Sequence, residues 1–113
     1  MRFDARIPVV LGDLASAVPL DAVIMEGDAL PAGRFGLVFR PALHDAAVGC
    51  ACCAPRGALA TAIGEMFVAR AKGLVPPFGR VIAATETPGG RHAVVAAVTE
   101  DPVCSVRFRI SAP

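Results

Sequence analysis

An α/β domain built on a small parallel sheet is the fold this sequence predicts, and three observations carry that reading. Short apolar runs at Ile7–Leu11, Phe35–Phe39 and 80–84 are each bounded by glycine or proline, as buried strands are. After Pro55, apolar residues at Leu59, Ile63, Met66 and Phe67 recur with the spacing of one helix face. The resulting order of strand, helix, strand, loop, helix and strand is the rhythm of βαβ units, whose strands run parallel. At 113 residues the chain is long enough for one core but not two, so 1–113 is read as a single domain.

Each element follows from local chemistry. The first run, Ile7–Leu11, ends at Gly12. Residues 13–18 are small, and Pro19 suits the first position of a helix, which predicts a helix over 19–25. A polar loop bearing glycine and proline follows, and then the second run, which Arg40-Pro41 ends because proline donates no ladder hydrogen bond. Pro55 opens the main helix and Lys72-Gly73 closes it. Pro76-Pro77 forces an extended turn before the third run. Further on, 92–98 (HAVVAAV) suits a helix or a strand equally. Val106, Phe108 and Ile110 alternate with Arg107 and Arg109, as in a half-buried strand, so a C-terminal strand or hairpin completes the fold.

Composition removes several function classes. Hydrophobic residues make up 55% of the chain and mean hydropathy is +0.60, largely through alanine and valine. No uninterrupted apolar run approaches the roughly 18 residues of a membrane helix. Asp4 and Arg6 interrupt the apolar start, which does not read as a signal peptide, and a soluble, cytoplasmic protein is expected. Eleven basic and ten acidic side chains give a net charge of +1, without a basic stripe and without Trp or Tyr to stack on bases. No nucleic-acid partner and no membrane partner are expected.

The four cysteines are the compositional outlier, and Cys50, Cys52 and Cys53 fall within one four-residue stretch. Adjacent cysteines bridge poorly, because the disulfide strains the peptide between them. In a reducing compartment such a cluster points to metal binding or thiol redox chemistry. Thiolates select Zn²⁺ or Cu(I), and tetrahedral Zn²⁺ takes four ligands, or three with one position open. A redox dithiol fits less well: Cys50 and Cys53 have two residues between them, but one of these is a third cysteine.

The sequence GCACCAPRGAL (49–59) resembles the Gly-Cys-x-Cys-Cys motif and following helix start of the CobW-type (CobW/HypB/UreG-like) metal-trafficking GTPases. PPFGRVIAAT (76–85) looks like the family strand that ends in Glu-Thr-Thr-Gly, and TEDPVCSVRFRI (99–110) is similar to its Thr-Asp-Pro segment. The resemblance implies a P-loop-GTPase-like sheet, truncated before the strands that carry base recognition. It places a metal ion, Zn²⁺ or another thiophilic divalent cation, at Cys50, Cys52 and Cys53. Cys104 and His44 are candidates for a further ligand, and Glu86 and His92, after the third strand, are weaker ones. Asp13 and Asp21 are read as turn and helix-start residues, and Arg56 as a local partner of the Cys loop.

The departures from that family are as informative. Where its phosphate-binding loop stands, this chain reads Gly12-Asp13-Leu14-Ala15-Ser16-Ala17-Val18-Pro19-Leu20, with Val18 for the lysine and Pro19 for the Mg²⁺-binding hydroxyl. Ala84 replaces the strand-end glutamate. No catalytic residue, no nucleotide cofactor and no enzyme activity are expected. The expected partners are the metal ion and either a second copy or a full-length CobW-type GTPase, since a small sheet leaves edges to cover. The alternative reading is a pseudo-GTPase scaffold.

Overall fold

The computed structural model describes residues 4–40 and 57–111. Within them five parallel strands form one sheet: β1 (Ile7–Leu11), β2 (Ala22–Glu26), β3 (Phe35–Phe39), β4 (Val81–Ala84) and β5 (Phe108–Ser111), in the order β3-β2-β4-β1-β5. Two helices, α1 (Ala58–Ala71) and α2 (Pro88–Glu100), supply the connections β3→β4 and β4→β5. The three expected strands are present, and each is parallel to its neighbours. The C-terminal strand is present too, but it lies parallel to β1 with Ile7 opposite Phe108, so the tail is not a hairpin.

Residues 19–25 are not a helix. Ala22, Val23 and Ile24 are completely buried in the interior strand β2, which has β3 on one side and β4 on the other. A strand buried on both faces has no alternation to display, and its β-branched residues fit a pleated surface better than a helix. Asp21, expected at a helix start, instead anchors the strand entry. It accepts the Val18 N–H at 2.9 Å and pairs with Arg80 at 2.6 Å. Burial raises the Asp21 pKa, but the hydrogen bonds from Arg80 and Val18 outweigh it, so the carboxyl titrates below its ordinary range.

Among the described residues the sheet is covered unequally. On one face, Ile7, Val9, Leu11, Ile24, Val81, Ala83 and Phe108 pack with Ala60, Ile63 and Met66 of α1 and Val94, Ala97 and Val98 of α2. On the other, Val23 and Ile82 are covered by Leu14 and Ala17 of the β1→β2 connection and by Leu30. That connection holds a single 3₁₀ turn, Leu14–Ser16. It crosses β4 in one direction along the sheet, whereas the helical connections run the other way on the opposite face, so all share one hand. The reversal makes the C-terminal ends of adjacent strands β1 and β4 a topological switch point, where open α/β sheets collect ligands.

Helix α1 ends as its sequence dictates, with Lys72 as the cap and Gly73 at φ +76°. Its start at Ala58 is three residues later than Pro55, which lies outside the described residues. Helix α2 resolves the ambiguity at 92–98. Thr87 caps it by accepting the Gly90 N–H at 2.9 Å, and Pro88 takes the first position.

Candidate functional site

Of the expected metal ligands, Cys50, Cys52, Cys53 and His44 lie outside the described residues, as does Arg56. The chain leaves the sheet at the C-terminal end of β3, at Arg40, and re-enters the described structure at Gly57, one residue before α1. In chain order the Cys motif thus falls between β3 and α1. A cavity of about 780 Å³ is lined by Arg40 and Phe39 at the end of β3, Gly57 and Ala58 at the start of α1, and Ala93 and Asp101 on the α2 side.

Cys104 is described, and it is core. It opens a second 3₁₀ turn, Cys104–Val106, rather than lying on the expected amphipathic strand, which begins only at Phe108. Val106, expected to face inward from that strand, is 69% exposed. The Cys104 side chain is completely buried, and its thiol donates to the Ala60 carbonyl of α1 at 3.3 Å. Asp101 fixes the turn by accepting the N–H groups of Val103 and Cys104 at 3.1 and 2.9 Å. A neutral thiol in a dry core behaves as a small hydrophobe. Cys104→Ala is therefore expected to lower unfolding free energy by about 1–2 kcal/mol, read from a urea melt. An unchanged melt would show that the sulfur contributes nothing to packing.

The most developed polar arrangement among the described residues was not legible in the sequence. Glu26, the last residue of β2, is 4% exposed and joins the strand end to the start of α2. One carboxylate oxygen accepts the N–H groups of Glu86 and Thr87 at 2.6 and 3.0 Å, and the other accepts the Thr87 hydroxyl at 2.6 Å. The same Thr87 oxygen caps the helix, so one residue serves both contacts. Gly90 supplies the space: a Cβ there would overlap the Glu26 carboxylate. The Thr87 hydroxyl, followed by the two backbone N–H groups, holds the Glu26 pKa below its ordinary value despite burial. Exposed Arg40 pairs with Asp28 at 2.7 Å nearby, a contact worth little in water. Glu86 and His92 are both exposed.

A carboxylate with a lowered folded pKa adds stability above its unfolded value, here 4.5, and that stability is lost as pH falls through the folded value. Asp21, lowered from 3.8, acts in the same direction. Thermal melts at pH 7 and pH 3 are expected to show marked acid destabilisation. In Glu26→Gln, the pH 7 melting temperature falls and the difference between the two pH values narrows. An acid profile identical to wild type would contradict this role for Glu26.

The segment aligned by resemblance with a phosphate-binding loop is closed on itself. The Ser16 and Ala17 N–H groups donate to the Asp13 and Leu14 carbonyls at 2.9 and 3.0 Å. The carbonyls of Ser16 and Ala17 accept Arg80 and Arg34. Residues 12–21 contain no α-helix whose N-terminus would face a phosphate. Among the described residues, no three His, Cys, Asp or Glu side chains are placed to share a metal ion. No described helix is long and apolar enough to cross a membrane. No protein-family model matches the chain, and neither does any curated protein or any solved structure.

Proposed function

We propose that this chain is a thiolate metal-binding protein related to the CobW-type metallochaperones, one that holds Zn²⁺ through Cys50, Cys52 and Cys53 and hydrolyses no nucleotide. The observation that carries the reading is the clustering of three cysteines in four residues behind Gly49. Short loops between thiols close at little entropic cost, so three ligands converge on one ion readily. Chain order is compatible with the assignment: the motif lies between β3 and α1, and the chain leaves the sheet at the C-terminal end of β3, the side on which open α/β sheets collect ligands. We read that sheet as a P-loop-GTPase-like one whose phosphate loop has decayed. Support comes from the 3₁₀ turn in place of a helix after β1, and from Asp13, an acidic side chain where triphosphate would lie.

The fourth ligand position falls to His44, to solvent or to a receiving protein. Cys104 is the weakest choice, since it would have to ionise inside the core and give up the Ala60 carbonyl. With no bound nucleotide to gate release, transfer would follow differences in affinity between donor and acceptor thiolates. Titration calorimetry tests both halves of the proposal. Zn²⁺ is expected to bind with sub-micromolar affinity, and GTP with Mg²⁺ to give no heat of binding. Micromolar GTP affinity, or silence towards Zn²⁺, would overturn it.

One observation favours a second reading, a pseudo-GTPase scaffold that pairs with a second copy or with an intact CobW-type GTPase. The sheet face opposite α1 and α2 has only loop cover among the described residues, and Val18 and Leu20 on that cover are 51% and 65% exposed. Parallel sheets ordinarily bury both faces. The two readings are compatible, since a metal carrier also needs a docking surface.

A further inference from the structure

We draw no further inference here: the strongest candidate, the alanine-lined cavity of about 780 Å³ between α1, α2 and the end of β3, adds nothing to the site already described, because nothing among the described residues shows what occupies it.

Discussion

Replacing Gly36 with alanine is expected to remove a large part of the stability of the fold. Gly36 lies in the middle of β3 at φ +146°, a backbone conformation that side-chain-bearing residues rarely adopt. A Cβ there would overlap the Val23 carbonyl oxygen on the neighbouring strand. The atoms in the way are backbone, held in register by the pairing of Val23 with Gly36, so no side-chain rotation relieves the overlap. Conformational strain and displacement of the ladder together cost about 3–5 kcal/mol, a large share of the 5–15 kcal/mol typical of a whole domain. Val38→Ala, two residues along the same strand at a position 38% exposed, serves as the control and is expected to cost less than about 1 kcal/mol. Urea unfolding of the two variants separates them. A Gly36→Ala midpoint as close to wild type as that of Val38→Ala would show that β3 is not held in this geometry.

The contrast between these two positions shows how far the sequence could be read. The bounds of β1 and β3 were legible because glycine or proline bounds each apolar run. The end of α1 was legible because Lys72 and Gly73 form a recognisable C-terminal cap. The special role of Gly36 was not, since it depends on a carbonyl thirteen residues away in sequence. The second strand was misread for a physical reason: Pro19 is a good helix opener, and a doubly buried strand lacks the alternation that would have overruled it. The capping pair Thr87-Pro88 was a local signal that would have settled 92–98 as helix. Glu26 at the end of an apolar run gave no hint of its partners some 60 residues later, because such pairings exist only once the sheet order brings β2 beside β4. The candidate metal site, by contrast, rests on the sequence alone, as three thiols in one short stretch outside the described residues.

Loss of a single thiolate from that stretch is the second large effect. Removing even a group that merely supports a metal ligand lowers affinity 10–100-fold in typical sites, so removing a ligand itself is expected to cost at least about 100-fold. Cys52→Ser and Cys53→Ser replace thiolates with hydroxyls that stay protonated at neutral pH and bind Zn²⁺ poorly. Circular dichroism of both variants checks that any loss of metal is not a loss of fold. Affinity in wild type should also fall as pH drops, because protons compete for the thiolates. The decisive measurement is the metal content of anaerobically purified protein after Zn²⁺ titration and desalting, wild type beside Cys52→Ser and Cys53→Ser. About one Zn²⁺ per wild-type chain, with little or none in the folded variants, is the expected result. A wild type that retains no zinc, or variants that retain as much as wild type, would contradict the metal-binding account and leave the scaffold reading in its place.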